Sequence, residues 1–284
     1  MRWRDRRQST NVEDRRGIGG RGIAIGGSIG VGGIIVLLLV LFLGGDPTAV
    51  LQQLSLQDVN PSSTSVELSA EQQELGQFVS VVLADTEDVW TQLFHDLGRT
   101  YSPPTLVLFT DWTESACGSA DAAVGPFYCP LDSKVYIDLA FFQDLQVKLE
   151  ATGDFAMAYV IAHEVGHHVQ QLLGTMDRVD AQLQNMGEFQ SNQLSIKLEL
   201  QADFYAGVWT HYVQDLNLLE AGDIEEALNA ASAVGDDRIQ RQTQGYVVPD
   251  SFTHGTSEQR VRWFTKGLES GDMNQGDTFN ADRL

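Results

Sequence analysis

Residues 162–170 read AHEVGHHVQ and hold the pattern H-E-x-x-H as His163, Glu164 and His167. On a helix, residues four apart share one face at about 6 Å along the axis, so the two imidazoles can converge on one tetrahedral cation. Imidazole donors suit Zn²⁺. Glu164 is rotated about 100° from His163, so it borders the same cleft without ligating. From there it can take a proton from a zinc-bound water and later pass it to a leaving amine. A helix carrying two histidines by chance would instead bury them beside Val165 and Val169 without partners, which is costly.

A catalytic zinc site needs a third protein ligand and keeps its fourth position open. A metzincin would supply that ligand locally, with Gly at 170 and His at 173, but the chain has Gln170 and Leu173. That class is excluded. Thirty-two residues after His167 comes ELQAD, which sets Glu199 and Asp203 four apart on a second predicted helix. Glu199 can complete a His₂Glu site. Asp203, one turn on, can accept a hydrogen bond from the free N–H of a ligating histidine and fix its tautomer. A solvated face would explain two acids, yet Leu198, Ala202, Tyr205 and Ala206 place that face near apolar positions.

These residues must be carried by elements. Helical spacing predicts helices over 154–173, 191–213, 218–233 and 257–268, with another from Phe141 onward. Ser69 with Gln72, and Thr256 with Gln259, form capping boxes, the first opening a helix to about Leu97. Pro104–Thr110 and Lys134–Asp138 read as strands flanking a Gly- and Ala-rich loop that holds Cys117 and Cys129. The fold class is therefore mainly α (α+β) with a small sheet.

Charge is unevenly placed. The formal net charge of the 284 residues is −21, which argues against broad contact with nucleic-acid phosphates. Before the first long apolar run, seven arginines stand against three acids, leaving −25 on the remainder. Residues 22–45 carry no charge, long enough for a helix to cross about 30 Å of hydrocarbon. The run exceeds a signal peptide's apolar core and lacks a following A-x-A site. The chain thus divides into an arginine-rich, disordered cytoplasmic tail (1–21), a transmembrane helix (22–45), a polar linker (46–68) and a body (69–284). The arginines place the N-terminus in the cytoplasm and the body outside. In that compartment Cys117 and Cys129 would pair as a disulfide, contributing about 3 kcal/mol. Gly22, Gly26 and Gly30 could let two such helices pack as a homo-oligomer, although a glycine-rich approach to the bilayer explains them as well. The GIGGRG spacing at Gly17–Gly22 follows no strand and is not a dinucleotide fingerprint.

AHEVGHHVQ, LELQADFYAGVW, ACGSADAAVGPFYCPLDSKVYID and HGTSEQRVRWF, with the opening MRWRDRRQSTNVEDRRG, together resemble the bacterial neutral zinc metallopeptidases over nearly the whole chain. The resemblance implies a zincin-like fold with a gluzincin site, HExxH followed by ExxxD. It supports ligand roles for His163, His167 and Glu199 and the base role for Glu164. By analogy with related zincins, His254 or Arg260 would approach the cleft and stabilise an oxyanion. Zincins bind substrate extended along an edge strand, and Lys134–Asp138 is the candidate edge.

The sequence thus points to a membrane-anchored metallopeptidase with one Zn²⁺, acting on a peptide or protein substrate outside the cytoplasm. A catalytically silent, zinc-stabilised binding or assembly module is the alternative. Glu164 separates the two, because a closed structural zinc site has no use for a base beside its first histidine.

Overall fold

The computed structural model describes residues 1–16, 68–121, 124–184 and 186–284. The elements run β1 (Val12–Asp14), α1 (Ala70–Asp96), β2 (Thr105–Phe109), β3 (Trp112–Ser115), β4 (Gly118–Asp121), β5 (Phe127–Cys129) and β6 (Lys134–Asp138). There follow α2 (Ala140–Val147), α3 (Asp154–Leu172), α4 (Thr175–Leu183), α5 (Glu188–Asp215), α6 (Asp223–Ala233), α7 (Asp236–Gln244) and α8 (Ser257–Ser270). This is the expected mainly helical α+β architecture. Both capping boxes are present, Ser69–Gln72 at α1 and Thr256–Gln259 at α8.

Four strands form one sheet in the order β1-β2-β6-β5, with β1, β2 and β6 parallel and β5 antiparallel to β6. β3 and β4 pair as a separate hairpin. Side chains alternate across the sheet as period two requires. Leu106, Leu108, Val135 and Ile137 join the main core, while Val107, Phe109 and Tyr136 cluster with Cys129 on the other face. Cys117 and Cys129 are disulfide-bonded, tying the end of β5 to the β3–β4 turn.

Helix α3 runs through the core, buried from Phe155 to Gln170. It packs on α1, α5 and α6, and α5 packs on α8. Two close approaches set these crossings. A Cβ at Gly166 would meet the Ala202 carbonyl oxygen at 2.9 Å, so α3 and α5 touch backbone to backbone there. Gly207 and Gly267 likewise face the backbones of Phe264 and Phe204, which locks α5 to α8.

Two expectations need correction. β6 is not an edge: it lies between β2 and β5, and the outer strand on that side is β5, three residues inside the cysteine loop. Residues 1–16 are not a disordered tail. They belong to one compact unit with residues 68–284, because their arginines meet acids on α1 and because β1 adds to the sheet. Among the described residues no helix is long and apolar enough to cross a membrane. The span expected at 22–45, with Gly22, Gly26 and Gly30, lies outside the described residues.

Candidate metal centre

The backbone contact at Gly166 and Ala202 brings the polar faces of α3 and α5 together. His163 Nε2 lies 3.2 Å from Glu199 Oε2, and His167 Nε2 lies 3.4 Å from Glu199 Oε1. One donor from each of the three residues falls within 4.8 Å of the other two. All three border a cleft of about 440 Å³.

The other nitrogen of each imidazole is already committed. His163 Nδ1 is 2.9 Å from Asp203 Oδ1, and His167 Nδ1 is 2.9 Å from Gln170 Oε1. With Nδ1–H donating to these acceptors, both Nε2 lone pairs face the Glu199 carboxylate. Two neutral imidazoles and one carboxylate converging at this spacing fit a Zn²⁺ ion.

Electrostatics favour a cation at that point. Burial opposes charge on Glu199, yet the two imidazoles hold its carboxyl well below the usual carboxylate range. Burial also opposes charge on His163, but Asp203, helped by Glu199, overrides it and the imidazole is pushed up to about 10. A metal would take the place of that proton. Glu164 is buried beside the ligands, and that burial raises its carboxyl pKa, the direction a base working near neutral pH needs.

Asp203 is fully buried and bound on every side. It accepts from the Tyr159 hydroxyl at 2.5 Å and from Arg260 Nε and Nη2 at 2.8 and 2.9 Å. Arg260 is therefore an anchor for Asp203, not the free oxyanion donor that the analogy suggested. His254 does reach the cleft wall. Its Nδ1 is 3.3 Å from Asp236 Oδ1, and that carboxylate raises the imidazole pKa.

Three contributors were not anticipated. Gln170 orients His167, and its amide nitrogen donates to the Leu198 carbonyl at 2.7 Å and to Gln201 Oε1 at 3.2 Å. Tyr159 sits one turn before His163 in an apolar stretch that gives no sign of a polar task. Asp236 opens a helix with no buried residue and is separated from His254 by 18 positions. His168 is structural: its nitrogens meet the Tyr128 hydroxyl at 3.0 Å and the Ser102 carbonyl at 2.7 Å, pinning α3 to β5. A second acidic group, Asp154, Asp223 and Glu226, is already countered by the Met1 ammonium, 2.6 Å from Asp154 and 3.2 Å from Asp223.

The chain matches the family described as "Putative neutral zinc metallopeptidase" over residues 1–279. It is 50% identical to Uncharacterized protein YpfJ of Escherichia coli (strain K12) over 284 residues, covering 98% of this chain and 99% of that protein. It is 41% identical to Uncharacterized protein Rv2575 of Mycobacterium tuberculosis (strain H37Rv) over 254 residues, covering 85% of each. No solved structure matches it. With both histidines and the distant glutamate gathered at one point, the match over nearly its full length places this chain in the neutral zinc metallopeptidase family.

Proposed function

We propose that this protein hydrolyses peptide bonds with one zinc ion held by His163 Nε2, His167 Nε2 and a Glu199 carboxylate oxygen. The observation that carries the reading is Glu164, a buried carboxylate beside three ligands on the wall of an open cleft. Bound there, zinc would supply Lewis acidity to a carbonyl and to water. Glu164 accepts the proton of the attacking water on a carboxylate oxygen and returns it to the leaving amine. His254, its charge favoured by Asp236, donates a hydrogen bond toward the oxygen on which negative charge develops. Asp203 and Gln170 hold the two imidazoles in the tautomer that points Nε2 at the site.

The substrate is an extended peptide lying beside β5, since Phe127 and Tyr128 of that outer strand line the cleft. Phe141, Val160 and Ile239 give the cleft an apolar floor, which suits a bulky apolar side chain in the peptide.

Glu164→Gln in the full chain tests this reading. Zinc content by metal analysis stays at one per chain, while cleavage of a peptide library is lost. Undiminished cleavage would reject the base role. Zinc without cleavage in the wild type as well would favour the silent binding module.

A further inference from the structure

We infer that residues 1–16 and the metal-bearing body lie on the same side of any membrane the chain touches.

The contacts are many and specific. β1 continues the sheet, with Val12 opposite Leu106 and Asp14 opposite Leu108. Leu106 N donates to the Asn11 carbonyl at 2.8 Å, and Arg15 N donates to the Leu108 carbonyl at 2.7 Å. Arg6 makes a two-pronged ion pair with Asp85, both arms at 2.6 Å, on a carboxylate only 5% exposed. Arg7 bridges Glu87 and Asp88. Trp3, buried, packs edge-on against Phe78. Residues 1–16 supply the side-chain partners of both buried acids: Arg6 meets Asp85, and Arg7, Ser9 and Asn11 meet Glu87.

The two ends of the intervening segment also meet. Arg16 Nη1 donates to the Gln72 carbonyl at 2.5 Å, and Arg16 itself is 9% exposed. Arg16 and Gln72 are thus in direct contact at the start of α1. A chain crossing a bilayer once would put Arg16 and Gln72 about 30 Å apart on opposite faces. The two arrangements exclude each other.

The arginines that implied a cytoplasmic tail have another task. Arg4, Arg6 and Arg7 pair with acids on α1, and Arg15 and Arg16 with Glu13 and Asp14. Their number reflects docking and carries no topological information, so the charge-bias rule loses its basis here.

The test uses the full chain in a bacterial host, with single cysteines placed at exposed Gln8 and at exposed Val147 in separate variants. Intact cells and lysed cells are treated with a membrane-impermeant maleimide. Mass spectrometry of the peptides separates the new thiol from Cys117 and Cys129. Both positions react in intact cells, or both react only after lysis; a split between them overturns the inference. A denaturation cycle checks the docking independently. Arg6→Gln and Asp85→Asn each lower the midpoint, and the double variant falls little further than the worse single one. Fully additive losses would mean the segment is not seated on α1.

Discussion

Gly166 on α3 lies against the backbone of Ala202 on α5, and the convergence of His163, His167 and Glu199 depends on that contact. The histidines flank Gly166 on one helix, and Glu199 and Asp203 flank Ala202 on the other. Gly166→Ala forces the helices apart by the few tenths of an ångström that a 2.9 Å approach demands. The cost in stability is about 1–3 kcal/mol, and zinc affinity falls by roughly tenfold or more as the Glu199 oxygens retreat. Zinc titration beside a thermal melt checks this; wild-type affinity in a folded variant would contradict it.

Gln170 supports His167 through a neutral amide. Gln170→Ala leaves His167 Nδ1 without its acceptor and removes the amide's bond across to α5, and zinc binding weakens by roughly 10–100-fold. Gln170→Glu keeps an acceptor for Nδ1–H but removes the donor to Leu198, so its affinity falls between the two. Competition against a chelator of known strength measures the order, and an alanine variant that binds like wild type sinks the role.

Arg260 and Asp203 form a buried ion pair at 2.8 Å, with side chains 4% and 0% exposed. Arg260→Met strands the carboxylate and destabilises the protein by about 3–5 kcal/mol. Asp203→Asn still accepts a bond from His163 but leaves Arg260 uncompensated, so it also destabilises. Denaturant midpoints of both variants decide the matter, and a loss under 1 kcal/mol for Arg260→Met would show the pair to be incidental.

Under the proposed mechanism, His254 sets the alkaline limb of peptide cleavage. Asp236 raises its pKa from the ordinary 6.5, so the protonated imidazole persists above that pH and is lost as pH climbs through the raised value. Asp236→Asn removes the cause and moves the limb toward acid. His254→Ala lowers kcat by roughly 10²-fold with little change in KM. The pH profile of peptide cleavage tests both, and an unmoved limb in Asp236→Asn excludes His254 as its origin.

Glu13 makes the docking of residues 1–16 acid-sensitive. Hydrogen bonds from Arg15 and Lys134 hold its carboxyl at about 2 against an ordinary 4.5. A lowered folded pKa stabilises above 4.5, and that contribution drains away as pH falls toward 2. The side chain is 42% exposed, so the effect is a few tenths of a kcal/mol. Urea midpoints at pH 6 and pH 3 give a smaller difference for Glu13→Gln than for wild type; equal differences would assign the acid response elsewhere.

Much of the site was legible because helix periodicity is written in spacing. Positions 163 and 167, then 199 and 203, declare one face each, and the structure sets those faces together. What could not be read were pairings across distance. Gln170 registered only as the residue that breaks a metzincin pattern, since its value lies in reaching the Leu198 carbonyl. Strand order is absent from sequence, so β6 looked like an edge when the three residues of β5 cover it. Helix α7 has no buried side chain and hence no apolar period to betray it. The arginines near the start looked solvated because their partners lie some seventy to eighty positions away. One clue was present: Asp85 and Glu87 interrupt an otherwise apolar stretch of α1 and had to be answered by something.

The seating of β1 fixes an order of events during synthesis. Val12 pairs with Leu106, and the Met1 ammonium meets Asp223, 222 positions further on. The Met1 contact therefore cannot form until Asp223 has been made, whereas Arg6, Arg7 and Val12 find their partners at residues 85–106 much sooner. Closing so long a loop is slow, which makes the Met1–Asp223 contact a late one to form. A bulky fusion at that end would be felt as delayed maturation before any loss of final stability.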